Sequence, residues 1–316
     1  MRAYVISSIL SMRSKFVLAG PMRLLALIAL VALAGAHAFA ADKVLYEKAS
    51  AYSNIIVTED ESGLRVLRFE RSGARQSIAK PGDPTYLGFA YTRVAFIGLA
   101  LSEEPRRIMI VGLGGGTMPM FLRNYYSDAT IDAVDIDPDV VHVAKEYFGF
   151  REDEKMRAHV GDGRQFVESA REPYDVIFLD AFGTSNVPPH LTTVEFLRAV
   201  RRAVKPGGVV VGNVWGRAVN PLYDSMVRTY QEVFDELYIL EVPGTSNRIL
   251  LALPRKLSLD RAQLAQLARR TGSEKRFAFD LGDIDEQQFR NATRKGKSGR
   301  VLRDAETAQP SRATPR

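Results

Sequence analysis

A doubly wound α/β fold, its sheet mostly parallel and preceded by a small antiparallel β unit, is the fold class this sequence predicts. Three observations carry that expectation. From Arg107 onward, apolar runs rich in β-branched residues (IMIVGLG, TIDAVDI, DVIFLDAF, GVVVGNVW) alternate with amphipathic stretches such as 139–148 and 193–204. Runs that are apolar on both faces suit strands covered by helices on both sides, as in a parallel sheet. Ahead of them, residues 54–79 alternate apolar and polar positions between turn residues. Asn54 to Val57, Leu64 to Phe69 and Gln76 to Ala79 are therefore expected to be three short antiparallel strands. Punctuation agrees: Asp137-Pro138 puts proline at a helix start, and Lys205-Pro206-Gly207-Gly208 puts glycine after a helix end.

Taken from the beginning, residues 1–40 have the layout of a secretory signal. Basic residues up to Arg23 precede the apolar run Leu24 to Gly35, and Ala38-Phe39-Ala40 supplies a small-residue cleavage site before Ala41. The run is short for a ~30 Å hydrocarbon core. A cleaved signal and a periplasmic or secreted protein are the expectation, with membrane attachment only through an uncleaved signal. Met22 is an alternative start. The absence of cysteine is compatible with export, because an oxidising compartment permits disulfides without requiring them. A β-hairpin unit is expected over 41–83 and the doubly wound sheet over 84–256. Its period lengthens towards 3.6 from Tyr86 to Leu101, which predicts a helix, and strands near Leu237 to Val242 and Arg248 to Leu253 finish it. A helical extension is expected over 257–290 and a disordered basic tail over 291–316.

Charge separates function classes once it is located. The formal net charge is +6, but residues 1–40 contribute +4 and residues 291–316 contribute +5, leaving the body at −3. A folded nucleic-acid binder carries its basic excess on the folded domain, so no nucleic-acid partner is expected. No metal site is expected either. There is no cysteine, and His37, His142, His159 and His190 show no ligand spacing.

The chemistry concentrates at predicted strand ends. Gly112, Gly114, Gly115 and Gly116 follow one strand and open a helix. The chain must turn sharply there, and a ligand must approach the backbone. The next strand ends in Asp135-Ile136-Asp137, where a carboxylate can accept bonds from both ribose hydroxyls. Asp135 is the choice for that role, and Asp137 reads as an N-cap for the helix at Pro138. Asp162, in Val160-Gly161-Asp162-Gly163, suits an adenine amino group or a plain turn. Asp180 ends the run Val176 to Leu179, where ligands bind in open sheets, though a cap or turn residue also belongs there.

These four features together resemble the Rossmann-like class I S-adenosylmethionine-dependent fold, and within it the spermidine synthase (polyamine aminopropyltransferase) family. The resemblance covers roughly residues 50–255 and rests on IVGLGGG, AVDIDPDVVHVAKEYF, HVGDGRQFV and YDVIFLDAF. The hairpin unit in front also matches that family. The resemblance implies that Gly112, Gly114 and Gly116 cradle the nucleoside, that Asp135 holds its ribose, and that Asp162 with Gly163 holds its adenine. Gln76 corresponds to a family glutamine near the nucleoside, and the segment after Asp180 to a loop that closes over the site. It further implies a small-molecule amine as acceptor and decarboxylated S-adenosylmethionine, or S-adenosylmethionine itself, as co-substrate. No cofactor would be held permanently, and a homodimer is the simplest assembly.

Two departures bear on the chemistry. Gly115 stands where spermidine-forming members have an acid that holds the donor's amine, and Gly183 where they have a second acid three residues after Asp180. An amine acceptor is protonated at neutral pH and needs a base to free its nitrogen. Asp180 remains for that role. His190 is either a second base or orienting group, or more simply a surface histidine before a helix start, since no partner is identifiable. Tyr86 and Tyr91 line the acceptor pocket or are ordinary packing residues of one helix. Trp215 walls the same cleft or belongs to the core. An aminopropyl transferase is the leading expectation. An S-adenosylmethionine-dependent methyltransferase and a catalytically silent nucleoside- or polyamine-binding protein are the alternatives.

Overall fold

The computed structural model describes residues 42–183, 186–296 and 298–307. The chain from Asp42 onward forms one compact unit. The expected signal and the last nine residues lie outside the described residues, none of whose helices is long and apolar enough to cross a membrane.

Four strands make the small antiparallel sheet, in the order β1 (Lys43–Ala49), β2 (Asn54–Glu59), β3 (Arg65–Arg68) and β4 (Arg75–Ala79). The edge strand β1 was not expected. Its sequence KVLYEKA is largely exposed and charged at both ends, which blunts an edge and hides the alternation. The main sheet then follows with β5 (Arg107–Val111), β6 (Thr130–Asp135), β7 (Met156–Val160), β8 (Tyr174–Leu179), β9 (Val204–Trp215), β10 (Glu236–Glu241), β11 (Asn247–Leu253) and β12 (Phe289–Asn291). Its order is β12-β10-β11-β9-β8-β5-β6-β7, with β9, β8, β5, β6 and β7 mutually parallel and the rest paired antiparallel. Because β5 has β6 on one side and β8 on the other, the strand order reverses at β5. An open sheet leaves its ligand crevice at such a reversal.

Burial explains the continuous apolar runs. Ile108 and Ile110 of β5 face one layer, with Phe96, Phe121 and Phe178, while Met109 and Val111 face the other, with Phe196, Val200 and Tyr230. Strand side chains alternate between faces, so a strand covered on both sides has no polar position to offer. The first layer contains α1 (Ala90–Ala95) with the 3₁₀ turn Phe96–Leu101, and also α2 (Thr117–Tyr125), α3 (Pro138–Tyr147) and α7 (Arg261–Lys275). The second contains α4 (Gly163–Glu168), α5 (Val194–Ala203) and α6 (Tyr223–Val233). The helix expected from Tyr86 is shorter. It begins at Ala90 and tightens into 3₁₀ geometry, where a Cβ on Gly98 would lie 2.4 Å from Val211 of β9. Such a close approach to the sheet leaves no room for a side chain at that position.

The small sheet has a core of its own. Ile55, Val57, Leu67 and Ala79 pack against Val140, Val143 and Phe148, on and just beyond α3. This seats β4 beside the glycine-rich turn.

The tail expected to be disordered from 291 is instead folded as far as the short helix α8 (Asp304–Thr307). Leu302 is 2% exposed among residues of α5 and α6. The Leu302 carbonyl accepts from Val194 N, the Leu302 N–H donates to Thr229 Oγ1, and Gln231 donates to the Ala292 and Arg294 carbonyls. One buried leucine and a set of backbone bonds to side chains leave no periodicity to read, so composition alone misled. Leu302→Ala is expected to lower stability by about 2–4 kcal/mol, since it empties a filled site. Thermal denaturation checks this, with faster tryptic cleavage at Arg300 and Arg303 as a second readout.

Candidate active site

The crevice is built by strand tips. The turn after β5 takes Gly112, Gly114 and Gly116 through positive φ (+103°, +54° and +74°). Gly112 is the position that tolerates nothing larger, because a Cβ there would lie 2.4 Å from the carbonyl oxygen of Asp180 at the tip of β8. Its own N–H donates to the Val134 carbonyl of β6. One bare residue thus brings three strand ends together.

Asp135 ends β6. Its Oδ2 accepts from Leu113 N at 2.9 Å and its Oδ1 from Asp137 N at 3.1 Å. Burial holds this carboxyl above the usual carboxylate range, only partly offset by the N–H groups of Leu113, Asp137 and Gly114. Asp137 caps α3 by accepting from Asp139 N at 2.9 Å. The loop carrying Asp162 starts beside Asp135, since Gly161 N donates to the Asp135 carbonyl. Asp162 is the N-cap of α4: its Oδ1 accepts from Arg164 N at 2.7 Å and Gln165 N at 3.1 Å. Gly163 sits directly over β5, where a Cβ would meet Val111 Cγ1 at 2.5 Å. Each carboxylate oxygen has two acceptor directions, so Asp135 and Asp162 are oriented by backbone and still hold capacity for a ligand. Next to Asp135 in the chain, Ile136 is 38% exposed, an apolar surface that the sequence reading had not singled out.

His190 has a partner after all. It lies in the single 3₁₀ turn Pro189–Leu191, and its Nε2 is 3.1 Å from Asp162 Oδ2. The reading as an unpartnered surface histidine is corrected: His190 meets the loop that carries Asp162, a contact that no local pattern encodes. Beside it, Arg164 forms a bidentate pair with Asp304 at 2.8 and 2.7 Å.

Asp180 directly follows β8 and is half-buried. Its Oδ2 accepts from the Tyr91 hydroxyl at 2.9 Å and its Oδ1 from Asn213 Nδ2 at 2.8 Å. Asn213 in turn accepts from Asn247 Nδ2 at 2.9 Å. Burial raises the Asp180 carboxyl to about 6, against the lowering effect of these two bonds, and both burial and Asp180 push the Tyr91 hydroxyl up. Asn213 and Asn247 were missed. The available signal was a polar residue interrupting the run GVVVGNVW, which on a doubly covered strand requires a partner. Tyr91 faces Asp180 from α1. Tyr86 does not share that helix. It sits in the preceding turn, with its N–H on the Asp83 carbonyl.

Trp215, at the end of β9, packs on Phe182 with ring centroids 5.4 Å apart. Gln76 lies on β4, whose backbone borders the glycine turn: a Cβ on Gly114 would be 3.8 Å from the Gln76 carbonyl oxygen. The same strand closes the position that the resemblance reserves for an acid. A Cβ on Gly115 would lie 2.7 Å from Ser77 Oγ and 2.8 Å from the Phe148 ring. At Gly183, by contrast, the nearest atom among the described residues to an added Cβ is the Asn186 carbonyl oxygen, 3.5 Å away.

With this geometry in view, the comparisons with known proteins are direct. Residues 89–241 match the spermine/spermidine synthase domain. A polyamine aminopropyltransferase of Vibrio vulnificus is 34% identical over 245 residues, covering 75% of this chain and 81% of that protein. The chain belongs to the spermine/spermidine synthase family. Two solved structures agree in fold. A probable spermidine synthase from Corynebacterium glutamicum superposes with a TM-score of 0.68 at 21% identity, over 85% of this chain and 99% of that one. Human methyltransferase-like protein 13 in complex with SAH gives 0.54 at 29% identity, over 60% and 93%. The chain thus shares its fold both with that transferase family and with a methyltransferase.

Proposed function

We propose that this protein transfers an aminopropyl group from decarboxylated S-adenosylmethionine to a small-molecule amine. The observation that carries this is Asp180: one carboxylate raised to about 6, held by Tyr91 and Asn213 at the strand tip opposite Gly112. In the reaction, the acceptor nitrogen attacks the donor carbon next to the sulfonium. The new C–N bond forms as the C–S bond breaks, the sulfur leaves as a neutral thioether, and the ammonium proton passes to Asp180. A base near neutrality is matched to that transfer. The leaving group is already positively charged and departs without protonation, so alignment supplies most of the remaining rate. Asp135 would hold the ribose, Ile136 would pack on the adenine and Asp162 would accept from its amino group. His190 would tie the closing loop to Asp162 rather than move protons.

Gly115 keeps a second reading in view. With Ser77 and Phe148 filling the acid's place, nothing there selects a donor amine over a donor amino acid, which suits a methyltransferase using S-adenosylmethionine. Calorimetry with both donors, followed by mass analysis of the thioether nucleoside, separates the two. Methylthioadenosine as product, with tighter binding of the decarboxylated donor, is the expected result. S-adenosylhomocysteine as product would establish the methyltransferase, and binding without turnover would establish a silent binding protein. Export, expected from residues 1–40, belongs to the same proposal, as does the homodimer.

A further inference from the structure

Asp180 is held by a chain of groups longer than its two direct partners. Phe178, Val211 and Ile249 all belong to the layer that carries α1. Side chains alternate along a strand, so Asp180 and Asn213, each two residues further on, and Asn247, two residues before Ile249, turn to that same side. Across the β9–β11 pair, Asn213 lies opposite Ile249 and Asn247 opposite Trp215, which makes the two asparagines diagonal neighbours on one face. Tyr91 reaches Asp180 from α1.

Ionisation dictates which way the amides face. A carboxylate only accepts hydrogen bonds, so Asn213 must offer Asp180 its NH₂ group, and it does so at 2.8 Å. The Asn213 side-chain oxygen is then turned away, in a residue only 5% exposed, where an acceptor without a donor is costly. Asn247 Nδ2 supplies that donor at 2.9 Å. The turn between β10 and β11 fixes Asn247 itself: its N–H donates to Thr245 Oγ1 at 3.1 Å, and its carbonyl accepts from Val242 N at 3.2 Å. Arg248, next in the chain, also donates to the Asn247 carbonyl and pairs with Glu241 at 2.9 Å. Neither of these charges bears on Asp180, whose ionisation among the described residues is set by burial, Asn213 and Tyr91.

We propose that Asn247 is a positioning residue for Asp180, holding the Asn213 amide so that its NH₂ group rather than its oxygen meets the carboxylate. Without that donor the Asn213 amide is free to turn over, and its oxygen then suits only a protonated Asp180. The catalytic weight of Asn247 rests on the transferase reading above, in which Asp180 must be ionised to take the acceptor's proton.

Carbon-13 NMR of protein labelled at its aspartate carboxyls follows that ionisation without any substrate, with the Asp180 signal assigned by its loss in Asp180→Asn. Asn247→Ala, and Asn247→Leu, which keeps the volume, are each expected to move the Asp180 midpoint up from about 6 by about half to one pH unit, the worth of a weakened bond to a charged group. In an Asn213→Ala background the same substitutions are expected to move it no further, because the intermediary is gone. Methylthioadenosine binding is expected to stay within about twofold throughout. With decarboxylated S-adenosylmethionine and putrescine, the acid limb of kcat/KM is expected to move with the midpoint. An unmoved midpoint overturns the proposal. An equal shift with and without Asn213 overturns it too, since Asn247 would then act on the fold at large. Either result leaves the transferase reading standing. Absence of turnover by the unaltered protein removes that reading instead, and the carboxyl titration still decides what Asn247 does.

Discussion

Asp180→Asn is expected to abolish turnover and to make the protein more heat-stable at the same time. The loss follows from removing the proposed proton acceptor, an effect of roughly 10²–10⁴ in rate. Unaltered protein should show kcat/KM falling about tenfold per pH unit below about 6, as the carboxylate is protonated, and the variant should lack that limb. The gain in stability has the same source. In the unfolded chain this carboxyl ionises near its ordinary 3.8, but in the folded protein only near 6. Above pH 6 the fold therefore holds a charge that it disfavours by about 2–3 kcal/mol, a cost that fades as pH falls through that window and is gone below the unfolded value. Asparagine keeps the shape and can still accept from Asn213 and donate to the Tyr91 oxygen. Melting curves should show a higher Tm for the variant near neutral pH, by roughly 2–4 °C per kcal/mol, and no difference near pH 4. A variant that melts lower at both pH values would contradict the burial account, and one that keeps its rate would remove Asp180 from the mechanism.

Gly112→Ala is expected to be the most damaging single methyl group in the sheet. Its φ of +103° lies where a Cβ is strained, and the added atom would meet the Asp180 carbonyl oxygen at 2.4 Å and carbon at 2.8 Å. Both contacts are backbone of the neighbouring strand, so neither can turn aside. The tips of β5 and β8 must part, at a cost of roughly 3–5 kcal/mol from strain and overpacking together. The expected result is a fall in Tm of about 10 °C and loss of methylthioadenosine binding by at least about tenfold. Unchanged binding with unchanged Tm would mean that the strand tips are further apart than described.

What was legible in the sequence follows from how local each determinant is. The parallel strands were readable because residues such as Ile108 to Val111 are apolar on both faces, and burial on both faces is the only way to satisfy them. Gly112, Asp135, Asp162 and Asp180 were readable because strand–turn–helix spacing puts them at tips, and the structure does bring those tips together. Tyr91 does lie on α1, whereas Tyr86 was placed on a helix that starts later, because apolar period does not mark where a helix begins. The Asp162–His190 and Asn213–Asn247 contacts were not readable. Each joins residues on separate loops or strands, 28 or 34 positions apart, whose meeting depends on the whole sheet order. The tail failed for the opposite reason: its composition argues for solvent, and the single Leu302 outweighs it.

The bond from Val194 N to the Leu302 carbonyl and the fork between Arg164 and Asp304 tie the stretch after the last strand to the start of α5 and to α4. A chain cut short before residue 300 would hold every strand of both sheets, yet would leave the start of α5 and the Arg164 guanidinium without these partners. The stretch around Leu302 and Asp304 is therefore also what fastens the start of α5 and the Arg164 side chain, and a copy lacking it would be well folded in the middle but slack at that edge.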